Sequence, residues 1–244
     1  MLVLESTQNL GEYLFKRVDV LIKRLAKGGI SLTNNEKEVI LRATRLLYEA
    51  MNKIAPRFPS GHGLEHMFRV LEICIILHKI HGGDFKKLVL ATLFHDILRL
   101  EENHAEKSAD FARKFLENTE FKSLAIDVAN IIREHSYSTS KKALSIESMI
   151  LQDADRLDAL GAIGIARVFS YGAYMNRELY GWQEPKNGGS LAHFYEKILK
   201  LPKLMNTETG KKIAERRVKV IISFLEEFIF ELDLRDIINY YKEK

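Results

Sequence analysis

An all-α fold is the class this sequence predicts, and three observations predict it. Apolar residues recur at three- and four-residue spacing through most of the 244 residues. Only four prolines interrupt the chain: Pro56, Pro59, Pro185 and Pro202. No stretch alternates polar and apolar residues as a half-buried strand does. The expected architecture is a single helical domain over residues 57–244, with an N-terminal helical extension (residues 1–56) packed on it.

The elements follow in order. Leu10, Leu14, Val18, Leu21 and Leu25 lie on one face of a helix spanning about Thr7 to Lys27, and Gly28-Gly29 stops it. Thr33 and Glu36 have the spacing of a capping box and open a second helix, with Ile40, Ala43, Leu47 and Ile54 on one side. Pro56 ends it, and the loop PRFPSGHG follows. A third helix, about Leu64 to His81, is apolar on most sides and therefore central, with His66 on an inward face near its start. Gly82-Gly83 breaks the chain before LVLATLFHDIL, Leu88 to Leu98, a nearly unbroken apolar run that suits a buried helix. Near its end stand His95 and Asp96. A buried ionised carboxylate is costly unless paired, hydrogen-bonded or metal-bound, so Asp96 requires partners.

Asn103 with Glu106 reads as a second N-cap, placing His104 in the first turn of a helix to about Glu117. The next helix, about Glu120 to Glu134, aligns Leu124, Val128 and Ile131 with His135 at its end. Ser145 to Leu160 reads as a helix with Asp153, Asp155, Asp158 and Arg156. GAIGIARVFSYG continues as helix. A polar loop (181–190), a helix around Leu191 to Lys200 and a long amphipathic segment from Thr207 to Leu232 complete the chain.

Composition excludes several classes. Hydrophobic residues make up 46% and charged residues 29%, the balance of a globular protein. A formal charge of +4 is too small and too dispersed for a nucleic-acid polymer, and suits an acidic small molecule. No uncharged apolar stretch is long enough to span a membrane, and the N-terminus lacks the pattern of a signal peptide. The single cysteine, Cys74, lies in an apolar run and reads as a buried, inert thiol. A cytoplasmic protein is expected.

Five of the eight histidines, His62, His66, His95, His104 and His135, fall at helix ends or on inward faces. With Asp96 and Asp155 they supply nitrogen and oxygen donors. Such a set suits a divalent ion among Mn, Fe, Co, Ni, Zn and Mg, and the lack of thiolates argues against structural zinc. Open coordination positions would leave room for water and a substrate oxygen, as metal-assisted hydrolysis needs.

On HMFRV (His66 to Val70), FHDI (Phe94 to Ile97) and DADRLDA (Asp153 to Ala159), the chain resembles the HD superfamily of metal-dependent phosphohydrolases. SGHGLEHMFRV, NHAEKSA, EHS, SIESMILQDADRLDALGAIGIARVFSYG and LMNTETGKKIAERR extend the likeness, in order, to small bacterial and archaeal HD hydrolases, including nucleotide pyrophosphohydrolases. The similar region runs from about Phe58 to Leu232. The resemblance implies a helical HD domain with His66, His95, Asp96 and Asp155 as metal ligands. Asp155 is preferred over Asp153 because the family's A-D-x-L-x-A pattern fits Ala154 to Ala159. Asp153 then supports a ligand, and Arg156 anchors the aspartates.

The resemblance further implies that His62, His104 and His135 contact substrate phosphate or hold a second metal ion. Arg69 and Asp158 are further substrate candidates, Arg69 competing with a surface ion pair to Glu65 or Glu72. Two departures stand out. Gly63 occupies a position where the family often has aspartate. Arg99 and Leu100 stand where guanosine-tetraphosphate hydrolases carry acids, with Glu101 and Glu102 shifted by two residues. Glu102 or Glu101 remains the candidate general acid or base beside Asp96. The expected function is hydrolysis of a small phosphorylated substrate, a nucleotide in first place, with pyrophosphate release from nucleoside triphosphates the leading subtype. The alternative is a non-catalytic HD module that binds a nucleotide or a protein partner. A homodimer through the N-terminal helices stays open.

Overall fold

Eleven α-helices form the regular structure of the described residues, and none of these residues lies in a strand. The computed structural model describes residues 7–54, 56, 58–136 and 142–242. The opening MLVLES and Arg57 of the loop before His62 lie outside them. Two compact units are present, Met1–Asp155 and Arg156–Lys244. No described helix is long and apolar enough to cross a membrane.

The first unit begins with α1 (Thr7–Lys27) and α2 (Asn34–Ile54). Leu14, Val18, Leu21 and Leu25 form the buried face of α1, which packs on α2 and on α3 (Leu64–His81). Burying each such side chain contributes roughly 1.5–3 kcal/mol. One apolar cluster therefore runs from α1 and α2 into α3 and α4 (Phe85–Phe94). The capping box forms as expected: Thr33 Oγ1 accepts from the Glu36 N–H at 3.1 Å, and the Glu36 carboxylate accepts from the Thr33 N–H at 2.8 Å.

Between α3 and α4 the chain turns through Gly82 (φ 76°) and Gly83 (φ 103°). At Gly83 a Cβ would lie 2.9 Å from Ile146 Cγ2, so glycine is required by both dihedral and space. Asp84 caps α4, accepting from the Lys86 and Lys87 N–H groups at 2.9 and 3.2 Å. Every residue from Leu88 to Phe94 is buried. Thr92 inside this run satisfies its hydroxyl on the Leu88 carbonyl at 2.7 Å. Cys74 is buried beside it, and burial pushes its thiol up to about 12, which keeps it inert.

The apolar run does not stay helical to Leu98. α4 ends at Phe94, and the N–H groups of Ile97, Arg99 and Glu101 bond the carbonyls three residues back, at 3.3, 3.0 and 2.9 Å. These tighter turns carry His95 and Asp96 toward α5 (His104–Leu116). Nor does the Asn103 side chain cap α5. Its backbone is left-handed (φ 55°, ψ 40°), whereas side-chain capping needs extended backbone at that position. α5 packs on α6 (Ala125–His135), and α7 (Ile146–Asp158) contributes its residues up to Asp155 to this unit. Ser145 Oγ starts α7 by accepting from the Ser148 N–H at 3.1 Å.

The second unit holds α8 (Gly161–Tyr174), α9 (Gly189–Glu196), α10 (Glu208–Leu232) and α11 (Arg235–Lys242). Its core joins Phe169, Phe194, Phe224 and Phe228, with ring centroids 5.7 to 6.2 Å apart. The helix expected around 191–200 is divided. α9 ends at Glu196, and Ile198–Leu204 forms a 3₁₀ stretch containing Pro202, whose missing N–H cannot extend an α-helix. Thr207 caps α10 through Gly210 at 3.0 Å. The short α11, with no buried residue, was not expected from the sequence.

Candidate metal centre

The histidines of the first unit come together because they sit at helix ends that converge. His62 lies in the turn before α3, and His66 in the first turn of α3. His95 caps the C-terminus of α4, His104 opens α5 and His135 closes α6. Asp155 comes from α7. A helix interior would fan successive side chains about 100° apart. The tight turns after Phe94 instead let His95 and Asp96 face one space.

Asp96 is the hub, and its two oxygens face different groups. Oδ2 lies 3.6 Å from His62 Nδ1, 3.7 Å from His66 Nε2 and 3.8 Å from His95 Nε2. Oδ1 lies 3.3 Å from Arg99 Nη1, 3.5 Å from His104 Nε2 and 3.6 Å from His135 Nε2. On the Oδ2 side, His66 Nε2 is also 3.3 Å from His95 Nε2 and 3.4 Å from Asp155 Oδ1. Nitrogen and oxygen atoms bonded to one ion at about 2.0–2.2 Å sit about 2.8–3.6 Å apart, from octahedral to tetrahedral angles. The His66–His95 and His66–Asp155 separations fall inside that range, and those from Asp96 to His66 and His95 lie just beyond it. The donor set therefore fits a divalent ion.

Backbone contacts orient two of the imidazoles. His95 Nδ1 donates to the Thr92 carbonyl and His135 Nδ1 to the Ile132 carbonyl, each at 2.6 Å. A carbonyl can only accept, so each Nδ1 carries a proton. The second nitrogen of each ring is aimed at Asp96. Burial, aided by neighbouring His135 and His66 and opposed by Asp96, lowers His95 to about 4, so its Nε2 keeps a lone pair at neutral pH. This is the tautomer a metal ligand needs, fixed by the bond its other nitrogen makes. His104 is lowered to about 4 by burial and then by the Arg99 cation. For Asp96, burial works toward a higher pKa, but Arg99, His95 and the surrounding imidazoles outweigh it and hold the carboxyl well below the usual range. Asp155 is likewise lowered against its burial, chiefly by His66 and His95.

The other sequence candidates have surroundings of their own. Glu101 pairs with Lys107 at 2.9 Å, both half-exposed, and Glu102 is exposed. Neither joins the histidine cluster, because the turns that aim Asp96 inward leave these two residues at the surface. Arg69 lies in a groove with Arg17, Arg24, Glu65 and Glu72. From α1, Arg17 pairs with Glu65 and Arg24 with Glu72, and the Arg69 charge also acts on Glu72. Asp153 is fully buried and, with Asp155, acts electrostatically on Cys74. Within the second unit, Arg156 donates to the Leu204 carbonyl, and Asp158 is buried against Arg167 at 3.0 Å.

Arg99 is the member that sequence reasoning did not assign to the cluster. Its Nη1 lies 2.8 Å from His104 Nε2 as well as 3.3 Å from Asp96. The available signal was its position three residues after Asp96, one turn along the chain.

Fold and site define a class: a helical protein that gathers imidazoles and carboxylates around one aspartate, with the donor set of a divalent-metal centre. The HD domain family model matches residues 63–160. The YpgQ protein of Bacillus subtilis is 32% identical over 180 residues, covering 69% of this chain and 83% of YpgQ. An HD-superfamily hydrolase from Bacillus thuringiensis superposes with a TM-score of 0.61 at 36% identity, covering 81% of this chain and 98% of that one. Bacillus subtilis YpgQ in complex with ADP superposes with a TM-score of 0.62 at 28% identity, covering 76% and 95% of the two chains. The chain belongs to the HD superfamily.

Proposed function

We propose that this protein is a metal-dependent phosphohydrolase acting on a small phosphorylated substrate, a nucleotide, with release of pyrophosphate from nucleoside triphosphates as the favoured reaction. One observation carries the reading: His95, Asp155 and Asp96 bring three further donor atoms to within 3.3 to 3.7 Å of His66 Nε2. His66, His95, Asp96 and Asp155 would hold the ion. When bound, a divalent ion supplies Lewis acidity toward a phosphoryl group and lowers the pKa of water. The protein's own groups do the rest. Arg99, His62, His104 and His135 surround Asp96 and are suited to hold phosphoryl oxygens and offset charge that develops on them. Asp155, with a partly exposed side chain 3.4 Å from His66 Nε2, can orient a water. The location of action is the cytoplasm, where nucleotides are abundant and the lone Cys74 thiol stays reduced.

That a relative crystallised with ADP supports a nucleotide as substrate. The rival reading is an HD module that binds a nucleotide or a protein partner without turnover. Metal analysis of purified protein, then phosphate and pyrophosphate release across a nucleotide panel with Mn, Co, Ni and Mg, separates the two. Pyrophosphate release from a triphosphate is the expected result. Tight nucleotide and metal binding without any product would transfer the lead to the binding module.

A further inference from the structure

Both faces of the Asp96 carboxylate are lined by imidazole nitrogens, which makes two cation positions of one carboxylate. Oδ2 faces His66 and His95, with Asp155 completing that side. Oδ1 faces His104 and His135 at 3.5 and 3.6 Å, a second set of nitrogen donors about one carboxylate oxygen. The two sides differ in one respect. On the Oδ1 side a cation is already present: the Arg99 guanidinium, 3.3 Å from Oδ1 and 2.8 Å from His104 Nε2.

We infer that Arg99 occupies the second cation position of the centre, so that the protein takes one divalent ion and supplies the other positive charge from its own chain. This rests on the metal centre proposed above. The chemistry of the His104 contact makes the argument. A guanidinium has donors only and does not lose its proton in proteins, so His104 Nε2 must be the acceptor. A neutral imidazole has a single lone pair in its ring plane, and here Arg99 takes it. His104 cannot ligate an ion through the same nitrogen while that bond stands. An ion at this position would also need a bond of about 2.0–2.2 Å to that nitrogen, where Nη1 now approaches to 2.8 Å.

The backbone makes the placement reproducible. The Arg99 N–H bonds the Asp96 carbonyl at 3.0 Å, closing the turn that points both side chains the same way. Arg99 is partly exposed, with 21% of its side chain accessible, while Asp96 is buried, so the guanidinium forms the outer wall of the site. A phosphoryl group entering from solvent meets the arginine as well as the bound ion. Planar guanidinium donors match phosphate oxygens, and the charge persists across the working pH range.

The test is metal stoichiometry, read without reference to activity. Full-length protein is stripped with chelator, reloaded with Mn²⁺ alone, desalted and assayed by elemental analysis and electron paramagnetic resonance. Wild type should hold about one equivalent with the signal of an isolated Mn²⁺, and Arg99→Glu about two with an exchange-coupled signal. Arg99→Glu combined with His104→Ala should return to one. Arg99→Gln, which keeps length and loses charge, should gain a weaker second equivalent, and it serves if Arg99→Glu fails to fold. Two equivalents in wild type overturn the inference about Arg99 while leaving the metal centre intact. So does a single equivalent in both Arg99 variants when their circular dichroism matches wild type. Wild type without any Mn²⁺ overturns the metal centre and the inference together.

Discussion

Replacing Asp96 by asparagine keeps the shape of the hub and removes its charge, and the effect can be worked from the structure. Without metal, Asp96 faces Arg99 at 3.3 Å with only 2% of its side chain accessible. At an effective dielectric of about 20, two unit charges at that distance attract by roughly 5 kcal/mol, most of it offset by the cost of burying the carboxylate. Removing one member of a buried pair typically costs about 3–5 kcal/mol. Arg99 retains some solvent, which places Asp96→Asn near the lower end, about 3 kcal/mol. Urea denaturation of chelator-treated protein reads this directly. With metal, the variant should bind Mn²⁺ far more weakly by calorimetry, and turnover should fall by about 10³-fold, equivalent to roughly 4 kcal/mol of transition-state stabilisation. The carboxyl is held below its ordinary value, so its stabilisation is complete above the unfolded carboxylate pKa and is lost as pH falls through the folded value. The variant should lack that acid dependence. Unchanged metal content and turnover in folded Asp96→Asn would mean that the Asp96 charge neither holds an ion nor serves the reaction.

Three further outcomes are expected. His95 and His104 are lowered to about 4 in the fold, so the unfolded chain binds more protons between pH 4 and the ordinary histidine value. Stability of the metal-free protein should therefore be full at pH 7 and decline toward pH 4. A flat melting temperature across that window, or one rising toward acid, contradicts the assigned burial. Leu14→Ala, at a fully buried position of α1, should cost about 2–5 kcal/mol in chemical denaturation. A loss below about 0.5 kcal/mol, the scale of surface substitutions, would mean that α1 is detached from the core in solution. Gly83→Ala places a side chain at φ 103° and 2.9 Å from Ile146 Cγ2, and should cost about 1–3 kcal/mol. An equally stable variant would show that the α3–α4 turn adopts another path.

Much of the fold was legible because its signals are local. The stripe Leu10, Leu14, Val18, Leu21, Leu25 is a property of spacing, and α1 runs over Thr7–Lys27. The Thr33–Glu36 box needs only four consecutive residues to be recognised, and it forms. Asn103 has similar local credentials and does not cap, because the turn entering α5 holds its backbone left-handed. α11 was missed altogether. Its eight residues bury nothing, so no core-facing stripe marks it.

For the site, composition and position nominated His62, His66, His95, Asp96, His104, His135 and Asp155, and the family resemblance selected four of these as ligands. All seven lie in the first unit, around Asp96 or His66. Glu101 and Glu102 were nominated by proximity in sequence to Asp96, and the turns after Phe94 leave them outside the cluster. Helix periodicity and donor chemistry are carried residue by residue, so the chain alone marks the helices that bury an apolar stripe and the residue types that could meet a metal. Only the tertiary structure decided that the two oxygens of Asp96 face different partners, and that Arg99 rather than a carboxylate stands on the Oδ1 side. The direction of a buried side chain is set by backbone turns and by carbonyls three residues away, such as Thr92 and Ile132, whose positions exist only once the helices have packed.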